Sequence, residues 1–258
     1  MRALVTGGAQ RIGRAIALYL AGRGFDVAVH YATSDRDAEQ TVAEIAAQGR
    51  RAVALQADLL DEGHLAALVP AAALALGGPL TLLVNNASIF EHDSISTASR
   101  ASWDRHLESN FRAPFVLIQQ FAAQVPEPLA DAADEPVAQG LVINMLDQRV
   151  LKLTPEFMSY TLSKMGLWAL TQTAAQALAP RVRVNGIGPG PTLQGTRQSL
   201  DHFSRQRAAT VLKRGVNLSD ITAALGFFLD SAAVTGQMIA VDGGQHLAWQ
   251  TVDVLGVE

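Results

Sequence analysis

Val5-Thr6-Gly7-Gly8-Ala9-Gln10-Arg11-Ile12-Gly13 completes the apolar run Ala3–Val5 and opens an amphipathic stretch, and this junction decides the fold. A strand that ends in glycines and passes at once into a helix brings free backbone N–H groups and the positive end of a helix dipole to one point. A dinucleotide pyrophosphate requires that arrangement, with glycines letting the backbone approach the phosphates. Such turns also serve as plain connections, so the reading depends on what lies outward from this one.

Downstream, short β-branched runs alternate with Ala/Leu-rich stretches, the order of βαβ units feeding a parallel sheet. Strands are predicted near Arg2–Thr6, Phe25–Tyr31, Arg51–Ala57, Leu80–Val84, Leu141–Met145, Arg181–Ile187 and Met238–Val241. Helices are predicted near Ile12–Ala21, Asp35–Gln48, Asp61–Leu76, Trp103–Gln124, Glu156–Ala179 and Ser219–Leu229, each with an apolar face at helical spacing. The fold class is therefore α/β: one Rossmann-type, doubly wound domain over residues 1–258, a seven-stranded parallel sheet with helices on both faces. Val125–Gly140, with Pro126, Pro128 and Pro136 among acidic residues, is predicted to be a surface loop.

Composition narrows the partners. Of 258 residues, 49% are hydrophobic and 17% charged, which suits a large interior, and the net charge of −4 gives no attraction to nucleic acid or anionic lipid. Small molecules are the expected partners, with no nucleic acid and no membrane. Zero cysteines exclude disulfides, thiolate metal sites and a cysteine nucleophile, and are compatible with a reducing compartment. Ala3–Val5 reaches Thr6-Gly7-Gly8 too soon to form a signal peptide, and no apolar run approaches the ~20 residues of a membrane span. A cytoplasmic location is the expectation. The six histidines show no metal-ligand spacing, and no metal is expected.

Enzymes that prefer NAD usually carry an acid at the end of strand two, where it accepts from the ribose hydroxyls. Here that end reads Val29-His30-Tyr31-Ala32-Thr33-Ser34, with no carboxylate before Asp35. Arg11, His30, Tyr31, Thr33 and Ser34 offer positive charge, hydroxyl or ring donors to a 2′-phosphate, so NADP(H) is the expected cofactor. Further on, Tyr160 and Lys164 are four apart in a predicted helix and share a face. An adjacent ammonium is expected to pull the phenol, ordinarily near 10, toward the working range.

Taken in order, these segments resemble the short-chain dehydrogenase/reductase family over nearly the whole length. Thr6-Gly7 through Gly13, with Ile12, resembles its cofactor turn, and Asp58 after strand three resembles the residue that contacts the adenine. Asn85-Asn86-Ala87 at the end of strand four is similar to its Asn-Asn-Ala-Gly motif, Asn110 to its buried helix asparagine, and Tyr160 with Lys164 to its Tyr-x-x-x-Lys. Asn185 through Gly190, with Pro189, resembles the segment that closes over the nicotinamide. The resemblance implies a tetramer, and the tail Leu247–Glu258, with Trp249, is a candidate to pack on a neighbouring subunit.

Two departures sharpen the resemblance. Arg11 stands where the family usually has glycine, and Asp147 where it usually has serine, thirteen residues before the tyrosine. Both are similar to the pteridine reductase and dihydromonapterin reductase branch, as are Asn85-Asn86-Ala87-Ser88 and Phe90. That likeness implies Phe90 stacked on a flat ring, Arg11 near its polar edge, and Asp147 helping to supply a proton toward a ring nitrogen. Asp147 can equally cap a turn or pair with Arg149 or Lys152, and Phe90 can be a rim or core aromatic. The expected reaction is hydride transfer from NADPH to a C=N bond of a pterin-like ring. The alternatives are a carbonyl reductase of the same family and an NADPH-binding regulatory protein without turnover.

Overall fold

The computed structural model describes residues 1–195 and 198–249. Its elements run β1 (Arg2–Val5), α1 (Arg11–Gly22), β2 (Asp26–Tyr31), α2 (Asp35–Ala47), β3 (Ala52–Gln56), α3 (Glu62–Leu76) and β4 (Leu82–Asn85). There follow α4 (Arg100–Leu107), α5 (Ala113–Gln124), β5 (Leu129–Ala130), β6 (Pro136–Val137), β7 (Gly140–Met145) and α6 (Met158–Leu178). The chain continues with β8 (Val182–Pro189), α7 (Leu200–Ala208), α8 (Leu218–Asp230) and β9 (Met238–Val241). Seven strands form one parallel sheet in the order β3-β2-β1-β4-β7-β8-β9. All their C-terminal ends therefore meet along one edge, and the winding reverses between β1 and β4, where a crevice opens in folds of this kind.

Each central strand buries both faces because helices cover both. Ala3, Val5, Val27, Val29, Val84 and Ile143 pack on one side with Ile16, Leu20, Ile221 and Phe228. Leu4, Ala28, Leu83 and Val142 face the other way into Leu65, Leu76, Leu117 and Phe121. Alternate residues thus feed opposite cores, which is why these strands read as continuous apolar runs. Each fully buried Leu, Ile or Phe contributes about 1.5–3 kcal/mol relative to exposure.

Three expectations need correction, and one helix, α7, was not foreseen. The helix expected over Trp103–Gln124 begins at Arg100 and is interrupted by one π-helical turn at Glu108–Arg112. That widened turn buries Asn110 where its amide reaches the backbone of Ile89. The helix expected from Glu156 starts at Met158, after Phe157 in a left-handed conformation with φ 58°. The loop over Val125–Gly140 contains the short antiparallel ribbon β5–β6. Helix α7 had no apolar signal because it buries none of its residues, and it is fixed at its start by Ser199 Oγ accepting from the His202 amide at 3.1 Å. The tail past Trp249, expected against a neighbouring subunit, lies outside the described residues. Among the described residues no helix is long and apolar enough to cross a membrane.

Candidate active site

The first half of the site is the turn between β1 and α1. Gly7 takes φ +60°, and a Cβ there would meet Ala87 Cα at 3.1 Å; at Gly13 a Cβ would fall 2.0 Å from the Gly7 carbonyl oxygen. Only glycine lets α1 approach β1 this closely. Thr6 ties the turn to the end of β4: its Oγ1 accepts from the amides of Asn86 at 2.9 Å and Ala87 at 3.0 Å, and itself donates to the Val84 carbonyl at 3.3 Å. Asn86 answers by donating Nδ2 to the Thr6 and Gly7 carbonyls at 2.9 and 3.1 Å. Ile12 is half-buried against the core beneath. Helix α1 has no side-chain cap and no acid in its first turn, so its N-terminus suits an anion.

His30 is not the phosphate donor that the sequence suggested. It is 2% exposed, accepts the Gly7 amide at Nδ1 (3.0 Å) and donates Nε2 to the Ala57 carbonyl (3.1 Å). Burial lowers its pKa to about 4, so the ring is a neutral brace under the glycine turn. Arg11 is also displaced from its expected partner. Its backbone adopts φ 52°, the left-handed region that favours glycine, and its guanidinium donates to the carbonyls of Gln194 (3.1 Å) and Leu193 (3.3 Å) beyond β8. It thus faces the catalytic half of the crevice and not the end of β2. At that end remain half-buried Tyr31 and Ser34, whose side chain makes no capping bond, with exposed Arg36 two residues further in the first turn of α2. Asp58 is exposed after β3, its Oδ1 accepting from the Leu60 amide at 3.0 Å.

The second half gathers at the ends of β4 and β7. Tyr160 donates its hydroxyl to Asp147 Oδ2 at 2.9 Å, while Asp147 Oδ1 accepts the Arg149 amide at 2.9 Å. The carboxylate therefore caps the short 3-10 turn Gln148–Val150 with one oxygen and holds the tyrosine with the other. Lys164 donates Nζ to the Met145 carbonyl at 2.8 Å and lies 5.7 Å from the centre of the Tyr160 ring. Burial lowers the lysine to about 8. Burial also raises Asp147, against the Arg149 amide and the Tyr160 hydroxyl, which favour its charged form. Tyr160 is pushed well above the ordinary phenol value, first by burial and then by the Asp147 charge beside it. The expectation that lysine lowers this phenol is thus reversed in the free protein, where Asp147, not Lys164, is its nearest charged neighbour.

Asn110 acts at one remove. Its Oδ1 accepts from the Ile89 amide (2.8 Å) and Ser88 Oγ (3.2 Å), and its Nδ2 donates to the Ile89 carbonyl (2.9 Å) and Ser163 Oγ (3.2 Å). Ser163 in turn donates to the Tyr160 carbonyl at 2.6 Å. Phe90, 47% exposed, stacks on Phe157 at 4.4 Å with planes 8° apart and meets Tyr160 edge-on at 4.7 Å. Pro189 ends β8, and a Cβ at Gly190 would press 2.6 Å from Asp242 Cα. Among the described residues no group of three acidic or histidine side chains is placed to hold a metal.

The model of the family described as short chain dehydrogenase matches residues 1–205. This chain belongs to that family. Among curated relatives of this short-chain dehydrogenase is a 3-oxoacyl-[acyl-carrier-protein] reductase, FabG, of Staphylococcus aureus. It is 33% identical over 250 residues, covering 95% of this chain and 98% of the relative. Among solved structures, FolM alternative dihydrofolate reductase 1 from Brucella canis, complexed with NADP, superposes with a TM-score of 0.90 at 45% identity, covering 98% of this chain and 96% of that one. The angucycline C-6 ketoreductase LanV, with bound NADP, gives a TM-score of 0.86 at 28% identity, with 96% of each chain covered.

Sequence reasoning missed residues of this dehydrogenase that act through others. Asn144 joins Asn85 (2.9 Å) to Thr171 (2.9 Å) across β4, β7 and α6, and only its polarity inside an apolar strand could have signalled it. Asp93 accepts the Ser159 amide and hydroxyl, and His106 bonds Ser159 Oγ at 2.7 Å, pinning the first turn of α6 one residue before Tyr160. The neutral brace at His30 has a measurable consequence. Between pH 6.5 and 4 the unfolded chain binds a proton that the folded chain refuses, so stability falls as pH drops through that window, by about 3 kcal/mol in full. Urea unfolding of wild type and His30→Gln across pH 4–7 should show a shallower acid loss in the variant, and parallel curves would contradict the brace.

Proposed function

We propose that this dehydrogenase reduces a C=N bond of a pterin-like ring, with NADPH as hydride source. The observation that carries the reading is the Tyr160–Asp147 hydrogen bond of 2.9 Å, which places a titratable carboxyl on the proton donor. When bound, the cofactor supplies a hydride from its nicotinamide. The residues fit such a group: the glycine turn leaves α1 uncapped, and the end of β2 offers Ser34 and Arg36 with no carboxylate between Tyr31 and Ser34. Likeness to FolM at 45% identity, against 28–33% for the ketoreductase and FabG, supports the pterin reading.

In this scheme Tyr160 delivers its proton to the ring nitrogen as the neighbouring carbon takes the hydride. Its raised pKa keeps the hydroxyl protonated at neutral pH, the state a general acid needs. Asp147 orients that hydroxyl by accepting its hydrogen bond, and its raised pKa suits it to pick up a proton from solvent and pass it to the phenolate once Tyr160 has given up its own. Lys164 stabilises the phenolate formed in the reaction and positions the nicotinamide ribose. Phe90, backed by Phe157, forms a flat wall worth about 1 kcal/mol to an aromatic ring. Arg11 faces the polar edge of that ring, and the chain works in the cytoplasm as a homotetramer.

A second reading, carbonyl reduction, is favoured by the FabG and ketoreductase likenesses. An NADPH-oxidation assay over dihydropterins, dihydrofolate, quinones and ketones separates the two. A dihydropterin or quinonoid relative should outpace every simple ketone, and the reverse order would promote carbonyl reduction. Tyr160→Phe should lower turnover by about 10²–10⁴ with NADPH affinity nearly unchanged. Asp147→Ser should cost pterin reduction far more than cofactor binding. Fluorescence titration should give NADPH at least about tenfold tighter binding than NADH; Ser34→Ala and Arg36→Ala should erode that preference, whereas equal affinities in wild type would remove the argument from β2.

A further inference from the structure

Arg149 lies two residues beyond the carboxylate that holds Tyr160, and the reaction scheme leaves its side chain unused. Its backbone amide donates to Asp147 Oδ1 at 2.9 Å. Its guanidinium is fixed separately: Nη1 donates to Thr154 Oγ1 at 2.6 Å, and the group lies 4.9 Å over the ring of Phe157. Phe157 is itself held, stacked on Phe90 at 4.4 Å and donating its amide to the Asp93 carbonyl at 2.8 Å. Phe90 meets Tyr160 edge-on at 4.7 Å. The cation thus closes a circuit of contacts that runs Asp147, Arg149, Phe157, Phe90, Tyr160 and back to Asp147.

The charges around it give this placement a use. A guanidinium stays charged across the working pH range, and among the described residues no carboxylate is at ion-pair distance from this one, Glu156 of the same segment being taken by His92. A cavity of about 280 Å³ opens beside the turn, where Gln148, Arg149 and Lys152 meet Gln206 from α7 and Gln245 from the segment after β9, with no carboxylate among its lining residues. His246, next to Gln245, is taken by Asp242, and Lys152 donates Nζ to the Ala248 carbonyl at 2.8 Å. The field of Arg149 is therefore left to act on the catalytic pair, where it favours the charged forms of both Asp147 and Tyr160. Lys164, the other cation of the pair's surroundings, donates to the Met145 carbonyl and is lowered by burial to about 8. It begins to lose its charge at a pH where a guanidinium keeps its own.

The proton step needs such a cation. As the Tyr160 O–H bond breaks, its proton passes to the substrate and the electron pair stays on the phenolate oxygen, until Asp147 hands on a proton taken from solvent. Meanwhile the buried pair carries at least one negative charge, wherever its remaining proton sits. We infer that Arg149 is a positioning residue for this step, its guanidinium held over Phe157 so that its charge stabilises the negative charge of the Tyr160–Asp147 pair. The inference rests on Tyr160 as proton donor and not on which ring is reduced.

The test is the pH profile of turnover in Arg149→Gln and Arg149→Lys, with whichever substrate of the panel wild type reduces fastest. Loss of the cation should lower turnover at neutral pH about tenfold and move the alkaline limb upward by about half a pH unit or more, because Asp147 and Lys164 both titrate higher without a positive neighbour. Arg149→Lys, which keeps a point charge, should recover most of that displacement. A merely structural loss lowers turnover and leaves the limb where it is. The infrared band of protonated Asp147 in the free protein, isolated by subtracting Asp147→Ser, should move its midpoint upward in Arg149→Gln as the limb does. Unchanged turnover, an unmoved limb or midpoint in Arg149→Gln, or Arg149→Lys displaced as far as Arg149→Gln, would overturn the assignment. A ketone as the best substrate sinks the pterin reading and leaves this test intact. If wild type turns over no substrate, the infrared titration decides alone.

Discussion

A phenol and a carboxyl, both taken out of water, face each other across 2.9 Å at the ends of β7 and α6. Neither ionises easily there: burial raises both, the Arg149 amide and the Tyr160 hydroxyl favour the charged form of Asp147, and Asp147 in turn keeps Tyr160 protonated. The rest of the catalytic half serves to keep this pair in place. Asp147 is fixed by capping the turn after β7, Tyr160 by the Asp93–Ser159–His106 bonds before it and by Ser163 and Asn110 behind it. The buried lysine adds a cation that already sits near 8, close enough to neutrality to respond when charge moves in the pair.

The cofactor half obeys a different constraint, backbone proximity. Thr6 and Asn86 lock the glycine turn to β4, and His30 supports it from β2. These are bonds between neutral groups, which leave the turn without negative charge toward a phosphate. Arg11 spends a left-handed backbone conformation to send its guanidinium across the crevice to the segment beyond β8. The two halves therefore meet at Arg11, the residue that joins the glycine turn to the wall of the catalytic crevice.

Much of this was legible in the sequence because it depends on local order. The seven strands, the strand–glycine–helix junction and the i, i+4 pair at Tyr160 and Lys164 follow from periodicity and spacing. The π-turn at Asn110 did not, because it exists to satisfy a long-range contact with Ile89. His30 misled for a related reason: its type suggested a cation, while its burial, set by the sheet, makes it neutral. The expected effect of Lys164 on Tyr160 failed likewise, since a four-residue spacing says which face a side chain shares and not which neighbour lies nearest. Helix α7 and the amide-lined cavity it helps form had no signal, one burying none of its residues and the other assembled from three distant segments.

The claim at the centre is that Tyr160 is a protonated acid held by Asp147 and not a phenolate prepared by Lys164. Tyrosinate absorbance, titrated by ultraviolet difference between wild type and Tyr160→Phe, reads this group apart from Tyr19 and Tyr31. Tyr160 should show no ionisation below about pH 10, and its titration should shift to lower pH when Asp147→Ser removes the neighbouring charge. A tyrosinate signal appearing near neutral pH in wild type, unmoved by Asp147→Ser, would contradict it.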